Sequence, residues 1–268
     1  MKKIIISIIV VFCCMQTKAQ ELYVFTEPAS NMAAKSIGLR LNNYLMKEPG
    51  RYNYHLLPEI MWGVSRKIMV HGEAFLSNRD NSFTAEGGSA YLKYRFFSED
   101  DVHSHFRMAA YGRYSFNNSD IHQPAIDFFG HSSGYEGGLI ATKLVNKVAV
   151  SASASYLHAK DNSSEKFPYA DRQRNAIGYT LSVGKLMLPK EYTNYNQTNL
   201  NLMCEFLGQY NTGNKNSYLD IAPSAQLIFD SRMRFDLGYR FPVVKDLYRT
   251  APYGFLIRLE YNIFNAYK

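Results

Sequence analysis

The sequence predicts an all-β fold: a single transmembrane antiparallel up-and-down β-barrel of about twelve strands, with ten and fourteen as the neighbouring counts. Three observations carry that expectation. Apolar and polar residues alternate with a period of two from about residue 36 to the end. That spacing sends successive strand side chains to opposite faces, and no stretch sustains a helical period. Tyrosine and phenylalanine number 21 and 17 against one tryptophan, a composition that favours strands. These rings gather near strand ends, where the two interfaces of a bilayer favour amphipathic side chains. Finally, the amino terminus reads as an export signal: Lys2 and Lys3, the apolar run Ile4 to Cys14, then small residues at Thr17 and Ala19. This is the order of charge, apolar core and cleavage site that a secretory leader requires. A mean hydropathy of −0.28 agrees with a barrel, because the inward half of each strand is polar and cancels the average.

In chain order, residues 1–19 are the signal peptide, and the mature chain starts at Gln20 or Glu21. Residues 20–35 form an N-terminal periplasmic segment or plug, and 36–268 form the barrel. In the segment, Glu27-Pro28 is expected to open a short helix with Thr26 as its cap; an unstructured lead into the first strand is the alternative.

Twelve candidate strands follow. The first carries Ile37, Leu39 and Leu41 on one face, and the second Tyr54, Leu56, Pro58, Ile60 and Trp62. The third sets Ile68, Val70, Gly72, Ala74 and Leu76 against Met69, His71, Glu73 and Phe75. In the fourth, Gly88, Ala90, Leu92, Tyr94 and Phe96 oppose Ser89, Tyr91, Lys93 and Arg95. The fifth, HFRMAAYGRYSF, alternates from His105 to Phe116. The sixth and seventh use Tyr135, Gly137, Leu139 and Ala141, then Val148, Val150, Ala152, Ala154 and Tyr156. The eighth to tenth present Ile177 to Val183, Leu200 to Tyr210 and Leu219 to Phe229. The last two run from Met233 to Phe241 and from Phe255 to Ile263.

Connections alternate as well. Residues 65–67, 143–147 and 230–231 are tight, whereas 117–132, 158–173 and 242–252 are longer and polar, the pattern of short periplasmic turns and longer outer loops. Ser98 to Ser104 and Pro189 to Gln197 are long for turns.

Composition excludes several classes. With the leader gone, 27 basic side chains face 23 acidic ones and Cys204 is the one cysteine left. The first balance gives no basic patch for nucleic acid. The second rules out a disulfide framework. Phosphate loops, dinucleotide fingerprints and zinc-spaced cysteines do not occur, so neither a cofactor nor a metal is expected. The acidic turn at Glu99, Asp100, Asp101, His103 and His105 reads as solvated rather than as a cation site.

The leader ending TKAQ, the two-residue alternation and the terminal strand YGFLIRLEYNIF together resemble Gram-negative outer-membrane β-barrel proteins. In such proteins an alternating C-terminal strand is read by the barrel-assembly machinery. More narrowly, the chain resembles the transporter barrels grouped with the MetA-like proteins of phenol-degradation pathways. That resemblance implies a monomeric channel for small solutes and fixes no site residue. The expected location is the bacterial outer membrane. The expected partners are its lipid, the assembly machinery and a small solute, with no nucleic acid.

If the apolar faces meet lipid, Arg40, Glu59, His71, Glu73, Lys93, Arg95, His105, Arg107, Arg113, Glu136, Lys143, Glu205, Asp220, Arg234, Asp236, Arg240, Arg258 and Glu260 line the lumen. They either form a polar conduit or satisfy one another in a sealed interior. A passive channel or accessory transporter is the function expected, and not an enzyme. One hydrolase alternative rests on His131-Ser-Ser133-Gly, placed on the lipid-facing side near the outer rim. It resembles the His-x-Ser active site of outer-membrane phospholipase A, with Asn118 to orient the histidine. A structural or surface-binding barrel is the other alternative.

Overall fold

Twelve strands form where the alternation places them: β1 Ser36–Glu48, β2 Arg51–Gly63, β3 Ile68–Ser77, β4 Thr84–Asp100, β5 Ser104–Asn117 and β6 Gly134–Val145. They continue as β7 Val148–Ala159, β8 Asn175–Leu188, β9 Asn199–Asn211, β10 Ser217–Phe229, β11 Met233–Lys245 and β12 Tyr253–Ile263. This computed structural model describes residues 23–48, 50–79, 82–101, 104–191 and 196–267; the export signal and its cleavage point lie outside them. Each strand pairs antiparallel with its sequence neighbours, and β1 pairs with β12 from Ile37 against Ile263 to Lys47 against Tyr253. The sheet is therefore a closed barrel without a free edge, which satisfies the backbone inside a bilayer. Among the described residues the one helical element is a 3-10 turn, Asp171–Arg174.

Connections after even-numbered strands, at what we call the turn end, are short except for 189–198. Those after odd-numbered strands form the loop end and include 118–133 and 160–174. Outward positions are apolar and exposed: Leu39, Leu92, Leu139 and Leu259 are each about half exposed. A continuous belt of this kind is a lipid surface rather than a water surface. Inward positions reverse the soluble rule, since Lys93, Glu205, Asp220 and Asp236 are fully buried.

The structure corrects four details. Lys143 faces outward with Tyr135, Leu139 and Ala141, because all four are odd positions of β6 and the odd face of that strand is the exposed one. The segment 98–104 is not a long turn: β4 pairs with β5 as far as Asp100 against His105, and the register shift between Arg95 and Phe97 absorbs one residue on the way. Residues 26–28 form no helix. The Thr26 hydroxyl and amide both turn to the Glu205 carboxylate instead of capping a helical turn. Finally, His131 and Ser133 are buried rather than lipid-facing, because loop 118–133 folds inward over the mouth. Gly134 makes that fold possible. Its φ is +148°, and a Cβ there would collide with the His158 carbonyl oxygen on β7.

Candidate functional site

The lumen holds two inserts. The first is residues 23–35, which run as an arc along the inner wall at the turn end. Gly238 on β11 leaves room for Phe25, whose ring would lie 2.5 Å from a Cβ at that glycine. On β9, the Glu205 carboxylate accepts the backbone amides of Val24, Phe25 and Thr26 at 2.9 Å each, and the Thr26 hydroxyl at 2.7 Å. Further along, the Ala29 amide donates to Thr142 Oγ1 on β6 at 2.9 Å. The Lys93 ammonium on β4 donates to the carbonyls of Pro28 and Ser30 at 2.8 and 2.9 Å, and Arg107 on β5 donates to Ser30 Oγ at 2.9 Å. Barrel side chains thus satisfy the insert's backbone where strand pairing would otherwise do so.

Glu27 reaches inward from this arc. It meets Arg40 at 3.0 Å and Lys93 at 3.5 Å. Burial would raise its pKa, but the two cations outweigh that and hold the carboxyl well below the usual range. Arg40 also binds Glu59 at 3.0 Å and Glu260 at 2.8 Å, and Glu59 hydrogen-bonds His71. Arg234 continues the network to Asp236 and Glu260, and Arg258 continues it to Asp236 and Asn42. The expected inward residues are therefore largely cross-braced, which is how several charges remain in a narrow interior.

Loop 118–133 is the second insert. Gln209 on β9 brackets Ile126, accepting its amide at 2.9 Å and donating to its carbonyl at 2.7 Å. Gln123 accepts the Thr250 amide at 2.9 Å. Arg79 is buried and donates to Glu86, Ser119 and the Gly130 carbonyl. Asn162 of the next loop donates to the carbonyls of Ser119 and His131 and accepts the Ser133 amide.

His131 lies 3.3 Å from Asp127 and stacks on His55. Burial and the Arg79 charge lower its pKa, although Asp127 opposes them. The Ser133 hydroxyl accepts the Asn117 amide at 2.8 Å and donates to the Asn117 carbonyl at 3.2 Å. It is therefore engaged with backbone rather than with His131. Asn118 is exposed and donates its amide to the Glu86 carbonyl, so the three residues of the hydrolase alternative are not brought together as a triad.

Between the inserts lies a cavity of about 250 Å³. Arg113, on β5, sits between Glu73 at 3.6 Å and Glu136 at 3.7 Å and stacks over Phe129. Asp220, on β10, sits between Arg249 at 2.5 Å and Arg240 at 3.5 Å, and Arg249 stacks over Tyr218. Arg95 lies away from this chamber, at the turn end, where it donates to the Arg66 carbonyl. His105 lies near the same end, opposite Asp100 in the ladder, and Arg107 binds Asp100 there.

The alternation alone did not pick out Arg79, Arg249, Gln123 or Asn162, because they belong to connections without a period. Tyr91 and Tyr111, which also line the chamber, were readable from parity, since they share faces with Lys93 and Arg113.

No protein-family profile matches the chain, and no curated protein matches it. Among solved structures, the NanC porin superposes with a TM-score of 0.51 over 83% of this chain and 97% of its own, at 10% identity. An outer-membrane channel from Pseudomonas putida F1 superposes with a TM-score of 0.57 over 90% and 100%, at 8% identity. Identities this low establish a shared barrel fold, and they do not identify the chain as a MetA-like protein.

Proposed function

We propose that this protein is an outer-membrane channel for small solutes whose resting lumen is closed on the periplasmic side by its own residues 23–35. The observation that carries the reading is the charged chamber between two inserts, neither of which is a strand of the barrel wall. A chamber of this size lined by charged side chains accommodates water and polar solutes, which a conduit requires and a sealed structural barrel does not. The two porin-type channels that share the fold support the same direction. The inward charges are the parts that select solutes by size and field. Arg113 does so in the chamber, whereas Arg107 holds the plug.

The test is planar-bilayer conductance of the full mature chain beside Glu205→Ala. Discrete channels are expected, rarely open in the wild type and open for longer once the plug loses its anchor. If neither protein conducts, and neither passes solute in liposome swelling, the channel reading fails. If both conduct identically, residues 23–35 are not the plug.

A further inference from the structure

The two charged triads of the chamber are mirror images in sign. On one wall two carboxylates, Glu73 and Glu136, share the single cation Arg113. On the other, Arg240 and Arg249 share the single anion Asp220. Arg113 stands on β5 and Arg240 on β11, six strands apart in a closed ring of twelve, so the walls face each other across the lumen. One wall thus presents two carboxyl groups to one guanidinium, and the opposite wall two guanidiniums to one carboxylate.

Both chamber arginines that stack on rings, Arg113 and Arg249, are held as flat apolar-backed cations. Asp127, on the roof, contributes a further carboxylate next to His131. Tyr91 lines the same cavity and is 3% exposed, and its hydroxyl has no hydrogen-bond partner among the described residues. A buried donor in that state has a place for a ligand atom.

We propose that this chamber is a binding site for small zwitterionic solutes of the amino-acid type. The ammonium group points to Glu73 and Glu136, and the carboxylate points to Arg240 and Arg249. The site rests on the channel reading and names what that channel takes. A dipolar solute meets the carboxyl-rich wall and the guanidinium-rich wall at once, whereas a simple anion or cation is matched by only one of them. The cavity, at about 250 Å³, lies just below the span of drug-sized ligand sites, roughly 300–1,000 Å³. That size suits a single amino acid.

Three probes on one phenylethyl scaffold test this by calorimetric titration into the full-length mature barrel in detergent. L-phenylalanine carries both charges, 3-phenylpropionate only the carboxylate, and phenethylamine only the ammonium. L-phenylalanine is expected to bind at least about tenfold tighter than either, on the scale of one charge-assisted hydrogen bond. Glu136→Gln is expected to weaken L-phenylalanine and phenethylamine while sparing 3-phenylpropionate; Arg240→Gln is expected to weaken L-phenylalanine and 3-phenylpropionate while sparing phenethylamine.

Equal affinity for the three probes overturns the site, and so does the same loss for all probes in both variants. Absence of L-phenylalanine binding in both the wild type and the plug-released Glu205→Ala protein also overturns it. The probe comparison needs no variant, and heat-modifiable gel migration reports whether each variant is folded. Potassium chloride conductance is read in parallel. A barrel that conducts without preferring L-phenylalanine loses the site and keeps the channel. A barrel that binds L-phenylalanine and never conducts loses the channel reading and keeps the site.

Discussion

Residues 23–35, the floor of the chamber, join the sheet at one end, at Ser36, whereas residues 118–133, its roof, are tied to strands at both ends. The roof is also zipped to its neighbours by an apolar cluster of Ile121, Ile126 and Phe128 with Leu157, Phe167 and Ala176. Burying each large aliphatic or aromatic side chain contributes about 1.5–3 kcal/mol, independent of any charge. The floor has apolar contacts too, chiefly Tyr23 and Val24 against Leu144, Ala149, Met203 and Leu256. Most of its backbone bonds to the wall, however, go to one carboxylate and one ammonium, Glu205 and Lys93, with single bonds from Ala29 to Thr142 and from Arg234 to the Tyr23 carbonyl. A segment held at one end by a few charged contacts can leave as a unit. A loop held at both ends and packed on a second loop can only shift. Under the proposed channel reading, that contrast makes the floor the movable barrier and the roof the fixed one.

The largest expected effect comes from Glu205→Ala. It removes four charge-assisted hydrogen bonds, each worth about 1.5–3 kcal/mol, and opens the floor. Limited proteolysis is expected to cleave within 23–35 in this variant and not in the wild type. Arg79→Ala attacks the roof and leaves Glu86 buried without its cation, a loss of about 3–5 kcal/mol. Here the temperature of heat-modifiable gel migration should fall while residues 23–35 stay protected, which separates the two barriers. Gly238→Leu puts a side chain where the Phe25 ring sits, at an overpacking cost of about 1–3 kcal/mol. An intermediate rise in open probability is expected, and an unchanged one would show that Phe25 does not seat the floor. Ser133→Ala should be the mildest, about 1 kcal/mol for the lost bonds to Asn117. Any lipid-ester hydrolysis by the purified barrel that disappears in this variant would revive the hydrolase alternative.

Strand positions and facing were legible because a barrel wall is a repeated local rule. The two faces of HFRMAAYGRYSF, with Phe106, Tyr114 and Phe116 outward and Arg107 and Arg113 inward, hold in the structure. Lys143 departs from the inward set because it sits on the odd, outward face of β6, where a lysine near a strand end lets its ammonium reach the interface. Arg107 and Arg113 look equivalent in sequence and differ in role. One reaches Ser30 of the floor, and the other faces the chamber between two carboxylates. His131 and Ser133 are buried rather than at the rim, and nothing local in the sequence announces that their loop folds inward.

By itself the sequence determined the barrel. Alternation over twelve segments decides which atoms meet lipid and which meet the interior, since that choice depends only on the two-residue period of the extended chain. What fills the interior was decided by tertiary structure alone. Glu27 meets Arg40 on β1, Glu205 meets three amides about 180 positions away, and Arg249 meets Asp220 from a loop two connections on. These partners carry no shared period and are brought together only by closing the ring. The aperiodic segments between and before the strands therefore decide what fills the barrel's interior.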